Sequence, residues 1–498
     1  MGTQRLLDKR RVKHIHFMGI GGIGLSAIAR VLHAGGYTIS GCDARMTALT
    51  DELHRLGMTV HDGHDAAHVD GVDLIVVSSA VPAENAEVVA ARRAGIPVVK
   101  RARLLGEMMA GRCGIAVAGT HGKTTTSALL AFVLVEAGLD PTFIVGGLLQ
   151  DLGTNARLGA GPHFVVEADE YDNTFLGLRP HVAVVTVIEM DHPDCFSDID
   201  DVTDAFRQFV GLVPEGGAMV GCFDQPRVLG LMTELDSHRG VDVIGYGLGE
   251  GAEALSAASH LWRAEGIEAN DAGGSDFVAV RNAQPVGRVM LALPGIHNIS
   301  NALAVLAVTD KLGVDMARVL DALPRFHGVR RRFEVKGEVA GVLVVDDYAH
   351  HPTEIRVTLA AARRRYAGHR LWAFFQPHTF SRTKLLLDQF ASSLGDADRV
   401  LVSPIYGARE TDDLGISSQD LVKRISHSHA QFVPSLEAAA NVLAAELQPG
   451  DVLLTLGAGD GNRVGEQVLQ ALRRRCEADG SCAMSGPAVP ESGVKHGA

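Results

Sequence analysis

Gly119-Thr120-His121-Gly122-Lys123-Thr124-Thr125 follows the apolar run CGIAVA and opens a helical pattern. Successive backbone N–H groups in such a loop can wrap a phosphate, the lysine can neutralise β- and γ-oxygens, and the Thr124 hydroxyl can ligate Mg²⁺. Val117 stands where the first glycine of the full phosphate-loop pattern would be. A glycine turn with a surface lysine is the bland alternative, and the strand before and helix after count against it. Downstream lie Glu167-Ala168-Asp169-Glu170 and then Glu189, Asp191 and His192, each group closing an apolar run. Magnesium bound to ATP takes one or two protein oxygens and keeps several waters. Taken singly, each acid reads equally well as a cap or surface residue, and spacing alone assigns no role.

Near the N-terminus Gly19, Gly21, Gly22 and Gly24 sit between a strand and a helix, with Asp43 closing the next strand. That arrangement suits a diphosphate at a helix N-terminus and an acid for a ribose. By itself it does not separate a nicotinamide dehydrogenase from a binder of UDP-sugars. Asn298 and Asn301 enter a helical run and read first as helix caps, with recognition of a base edge as the alternative. Arg330-Arg331-Arg332-Phe333, Asp346-Asp347-Tyr348-Ala349-His350-His351-Pro352 and Gln376-Pro377-His378-Thr379-Phe380-Ser381-Arg382-Thr383 supply cations suited to a transferring phosphoryl group. No third ligand lies at zinc spacing from the paired histidines, which excludes a metal site there.

The elements that must position these groups are α/β throughout. HIHFMG, YTISGCD and LIVVSS read as strands alternating with helices, and a fresh strand–turn–helix unit starts at CGIAVA. HFVVEAD and HVAVVTVIEMDH are two further apolar runs ending in acids. The stretch 222–293 carries no motif and resembles hairpins at AGGSDFVAVRNAQPVGRVMLALPG. A third α/β unit opens near Pro324, and the Gly, Ser and Pro-rich end from Cys476 reads as a disordered tail. The expected division is 12–110, 111–323, 324–475 and a tail 476–498.

At 498 residues the chain exceeds one ordinary core. A formal charge of -13 argues against a general nucleic-acid binder. The six cysteines include no CxxC pair and no metal-ligand spacing, so buried or idle thiols are expected. No apolar run reaches membrane-spanning length and no signal-peptide core is evident, which points to a cytoplasmic protein without membrane insertion.

Taken in order, GIGGIG, GTHGKTTT, EADE, EMDH, HNISNA, RRRF, DDYAHHPTE and QPHTFSRT resemble the motif series of the Mur ligases over about residues 12–475. The resemblance implies three domains: an N-terminal Rossmann-like UDP-binding domain, a central P-loop ATPase-like domain and a C-terminal Rossmann-like domain that closes over both. It implies ATP and Mg²⁺ as cofactors, with UDP-N-acetylmuramate as the acid and L-alanine as the amine, joined through an acyl phosphate. Gly19, Gly21, Gly22, Gly24, Asp43, Ser78 and Ser79 would then hold the UDP part. The loop 119–125, Asn298, Asn301 and Arg331 would hold ATP, and Thr124, Glu167 and His192 the metal. Lys123, Glu167, His192, Arg331 and Asp346 would carry the chemistry, and Tyr348, His350 and Arg382 would face the amino acid. Thr379 departs from a common arginine and Val187 from a common asparagine. A monomer or weak homodimer is expected. Within the family, attachment of murein tripeptide to the same sugar nucleotide is the runner-up; a dehydrogenase would leave Gly122-Lys123-Thr124 idle.

Overall fold

The computed structural model describes residues 6–78, 81–236, 240–255 and 260–479. Two compact units divide between Arg330 and Arg331. The first unit holds two sheets. One is wholly parallel, in the spatial order Thr59–Asp62, Thr38–Asp43, His14–Met18, Leu74–Val77, Val98–Lys100. Strand order reverses on either side of His14–Met18, which makes its carboxyl end a topological switch point. The loop Gly19–Gly22 leaves the strand there and enters the helix Ile23–Ala34.

The middle sheet has ten strands and repeats that logic. Cys113–Ala118 lies between Val182–Val185 and His163–Glu167, both parallel to it and both later in the chain. The helix Lys123–Glu136 starts at its carboxyl end and is buried without a break from Thr126 to Leu134. An all-round apolar helix of this kind must be covered on several sides. The helices Ile296–Lys311 and Met316–Ala322 and the sheet provide that cover.

At its far edge the sheet turns antiparallel. Ser275–Arg281 and Gln284–Leu291 form a hairpin, with Asn282 (φ 49°) and Ala283 (φ 60°) both in the left-handed region that two-residue hairpins demand. The hairpin expected within 222–293 is therefore present, attached through His260–Ala269. The strand expected over HVAVVTVIEMDH stops at Val185. Residues from Thr186 onward leave the sheet and run beside the phosphate-binding loop, where Thr120 N–H donates to the Val187 carbonyl (2.7 Å).

Both sheets of this unit contribute to one apolar core. Ile15, Phe17 and Val76 of the first sheet and Ala116, Val166 and Val185 of the middle sheet belong to a single contiguous cluster. The helix Ile23–Ala34 packs on Thr142–Leu149 and Thr154–Arg157, and Arg30 donates to the Asn155 side chain.

The second unit holds six strands in the order Glu334–Val339, Val342–Asp347, Asp451–Leu456, Arg370–Phe375, Arg399–Val402, Ala430–Phe432. The first pair is a hairpin and the remainder are parallel. Each face carries its own apolar cluster, one around Phe375 and Phe390 and one around Trp372 and Phe374. The final helix, Asn462–Asp479, buries Cys476 in the second of these, so the expected tail yields its first four residues to a packed helix. The rest of that tail lies outside the described residues. No helix among the described residues is long and apolar enough to cross a membrane.

Candidate active site

The loop Gly119–Gly122 is built by backbone that only glycine tolerates. Gly119 has φ 137°, and a Cβ there would meet the Thr186 hydroxyl at 2.0 Å; Gly122 has φ 81° and caps the helix. Lys123 curls back over this loop. Its ammonium donates to the carbonyls of Gly119 (2.5 Å) and Thr120 (3.2 Å) and to Glu170 Oε1 (2.9 Å). Glu170 is buried, and desolvation pushes its carboxyl up to about 7 even though Lys123 opposes that. Burial works against the Lys123 charge too, but Glu170, Asp169 and Glu167 outweigh it and hold the ammonium above its ordinary range. Lys123 is thus a largely buried cation held among acids.

Thr124 and Glu167 meet directly, the hydroxyl donating to Oε1 at 3.1 Å, while Gly146 N–H donates to Oε2 at 2.7 Å. Two hard oxygen donors side by side at the end of a strand fit a magnesium-class ion that retains water. His192 sits in the left-handed region (φ 54°) with its Nε2 3.8 Å from Glu170 and 3.7 Å from Asp191. It is thus placed on the lysine's carboxylate, one step from the Thr124–Glu167 pair. His121 contacts Glu189 (3.1 Å), and Thr120 Oγ1 is held by the Glu189 backbone.

Asn298 and Asn301 are not caps. Gly295 occupies the N-cap with no side-chain bond, and both amides are buried one turn further in. Asn298 donates to the Pro294 carbonyl (2.7 Å), Asn301 donates to Asn298 (3.0 Å), and Thr126 donates to Asn301 (3.1 Å). The chain of amides ends 2.9 Å from where a Gly122 Cβ would sit, so it braces the loop from below. Val187, which departs from a common asparagine, holds the Thr120 N–H through its backbone carbonyl.

At the first switch point Gly21 N–H donates to Asp43 Oδ2 (2.9 Å) and Arg45 N–H to Oδ1 (3.1 Å). Asp43 therefore organises the glycine loop. Gly19, with φ 83°, lies against Ser78, which it would touch at 3.2 Å through a Cβ; Ser79 is outside the described residues. A Cβ on Gly24 would collide with the Arg101 guanidinium at 2.8 Å. Arg101 also pairs with Asp169 (2.9 Å), so one side chain touches both the glycine loop and the acids around Lys123. Sequence reading missed Arg101, since it stands alone without a motif around it.

In the second unit Arg331 has φ 60° and binds Asp346 Oδ2 (3.1 Å) and the carbonyls of Gly459 (3.2 Å) and Gly457 (2.8 Å). Arg331 and Arg332 both lie over the Tyr348 ring, at 4.9 and 5.1 Å. Burial raises the carboxyls of Asp346 and Asp347, the latter to about 6. Tyr348, His350, His378 and Tyr406 form a run of ring contacts, and buried Arg382 donates to His378 Nδ1 (3.2 Å). The three residues expected on the amino-acid side are thus brought together. Thr379 is buried with φ 67° and donates its N–H to the Tyr406 carbonyl (2.9 Å). Glu410, also unforeseen, accepts from the N–H groups of Phe380 and Ser381 and fixes the start of the short helix Phe380–Leu385.

Three family models match this chain in order: Mur ligase family, catalytic domain (14–112), Mur ligase middle domain (117–309) and Mur ligase, glutamate ligase domain (331–459). The chain belongs to the Mur ligase family. Among relatives of this Mur ligase is the UDP-N-acetylmuramate–L-alanine ligase of Roseiflexus sp. (strain RS-1), 44% identical, with 93% of this chain and 100% of the relative covered. That of Acetivibrio thermocellus is 40% identical, over 93% and 97%. The crystal structure of the UDP-N-acetylmuramate–alanine ligase from Thermotoga maritima superposes with a TM-score of 0.74 at 29% identity, covering 94% of this Mur ligase and 99% of that chain. A murein peptide ligase from Psychrobacter arcticus gives 0.70 at 27% identity, over 92% and 98%.

Proposed function

We propose that this Mur ligase joins L-alanine to the carboxylate of UDP-N-acetylmuramate, with ATP cleaved to ADP and phosphate, in the synthesis of peptidoglycan precursors. The observation that carries it is near-full-length identity of 40–44% to relatives named for that reaction, together with a lysine and a Thr–Glu oxygen pair on the same loop. Loop 119–125 would cradle the triphosphate, and Asn298 and Asn301, assigned to ATP, would act on it through the loop they brace. The glycines at 19, 21, 22 and 24, with Ser78, would receive the UDP part. Thr124 and Glu167, with His192 near them, would hold Mg²⁺, which when bound neutralises phosphate charge and orients the oxygens. The sheets divide the work as 12–110, 111–323 and 324–475 in this reading, and the protein acts in the cytoplasm.

Carboxylate and triphosphate repel, so charge must be offset before the carboxylate oxygen can approach the γ-phosphorus in line. Lys123 supplies that charge by leaving Glu170 for the β- and γ-oxygens. The acyl phosphate so formed is attacked by the neutral amine of L-alanine, and the tetrahedral adduct collapses to the amide with loss of phosphate. Arg331 and Asp346 are assigned to ATP, and Tyr348, His350 and Arg382 to the amino acid. Phosphate release that requires both UDP-N-acetylmuramate and L-alanine, with the amide seen by mass spectrometry, tests the reading. ATP consumption without amide, or a preference for murein tripeptide over L-alanine, would overturn it.

A further inference from the structure

A second constellation of ligand-type side chains lies beneath the glycine loop, apart from the nucleotide machinery. His16, Cys42 and Glu87 are fully buried and offer a nitrogen, a sulfur and an oxygen within 4.8 Å of one another. Glu87 Oε2 is 3.1 Å from Cys42 Sγ and 3.4 Å from His16 Nε2. His64 adds Nδ1 at 3.2 Å from the sulfur and 3.5 Å from Glu87 Oε1. The other ring nitrogen of His16 is taken by the Ser40 hydroxyl (2.8 Å), which aims Nε2 into the cluster, where it has no hydrogen-bond partner. Its nearest neighbour is the Glu87 carboxylate at 3.4 Å, beyond a well-formed hydrogen bond.

Tetrahedral zinc, with bonds of about 2.3 Å to sulfur and about 2.0–2.2 Å to nitrogen or oxygen, sets neighbouring ligand atoms roughly 3.3–3.6 Å apart. Glu87 Oε2 lies 3.1 Å from Cys42 Sγ and 3.4 Å from His16 Nε2, near that spacing, while His64 reaches the sulfur (3.2 Å) and the other carboxylate oxygen (3.5 Å). We propose that His16 Nε2, Cys42 Sγ and Glu87 Oε2 supply three ligands for a divalent ion of the zinc class, with His64 beside the sulfur at the open side of the site. His68 stands behind them, its Nδ1 2.8 Å from Glu87 Oε1 and its ring stacked on His61, and orients the carboxylate as outer-layer partners of metal ligands do. His64, with 29% of its side chain exposed, marks the way in. On binding, the Cys42 S–H bond breaks, its proton passes to solvent and a sulfur–metal bond replaces it. Thiolate and carboxylate then balance the ion's two charges with both imidazoles neutral. Because the Cys42 carbonyl accepts from Gly19 and Ile20 N–H (2.8 and 3.1 Å), the ion would pin the strand end on which the glycine loop rests.

The test is titration of chelator-treated full-length protein with Co²⁺ in the absence of nucleotide. One equivalent should bind with a thiolate-to-cobalt absorption band, displaced by zinc. The band should vanish in C42S, and H64Q, which alters the exposed edge and leaves the core intact, should weaken binding by about 10–100-fold. No uptake, a thiolate band that persists in C42S, or an unchanged affinity in folded H64Q would each overturn the site.

Discussion

At the scale of single residues, Lys123 and Glu170 are the pair on which the proposed ATP site turns. Lys123→Ala removes the cation that offsets phosphate charge, and turnover should fall by at least about 10²–10³-fold. Calorimetric titration of UDP-N-acetylmuramate should be unchanged in the same variant, because the proposal puts that ligand on the other glycine loop; lost binding would show that the two sites are misassigned. Glu170 sets a pH dependence whose sign follows from its raised carboxyl. The native state holds this proton up to about 7 whereas an ordinary glutamate releases it near 4.5. Stability contributed by the proton is therefore full below 4.5 and is lost as pH rises toward 7. In Glu170→Gln that loss disappears, so the melting temperature of the variant relative to the parent should climb across this window. A difference that is flat from pH 4.5 to 7 would refute the assignment.

At the scale of elements, the loop between Cys113–Ala118 and Lys123–Glu136 is stiff for a definable reason. Gly119→Ala would set a methyl 2.0 Å from the Thr186 hydroxyl and 3.0 Å from the Val187 nitrogen, at a φ that L-residues avoid. A loss of about 1–3 kcal/mol is expected, with weakened binding of a fluorescent ATP analogue as the second readout. Nucleotide affinity equal to the parent's would mean the loop tolerates another path. This loop was legible in the sequence because its chemistry is local: strand, glycines, lysine and helix lie within about a dozen letters. The same holds for the first glycine loop and for the strands that begin each sheet.

What escaped was contact between distant letters. Arg101 meets Asp169 and Gly24, and no run of residues around it announces that. Ligand-type atoms of His16, Cys42, His64 and Glu87 converge from two strands, a loop and a helix, at spacings no sequence rule covers. Asn298 and Asn301 were misread as caps because a helix start looks alike whether its asparagines face out toward free N–H groups or inward to brace a neighbouring loop. Cys476 was assigned to the tail because the polar letters after it outweighed one buried thiol.

At the scale of the molecule, the cores do not follow the sheets one for one. The second unit keeps both of its apolar clusters to itself, each built from residues after Arg331. Expressed alone, residues 331–479 should unfold in one cooperative transition on heating; a fragment with no such transition would show that this core is insufficient. Residues 6–112 face the opposite situation, since part of their core is completed by the middle sheet. That fragment alone should bind a hydrophobic dye and melt without cooperativity.

Joint burial of this kind has a practical corollary for proteolysis. The polypeptide between Met109 and Cys113 is the covalent tie that joins the first two sheets among the described residues, and Gly111 lies on its turn. Were a protease to nick it there, the pieces should co-migrate in a native gel and separate only in detergent.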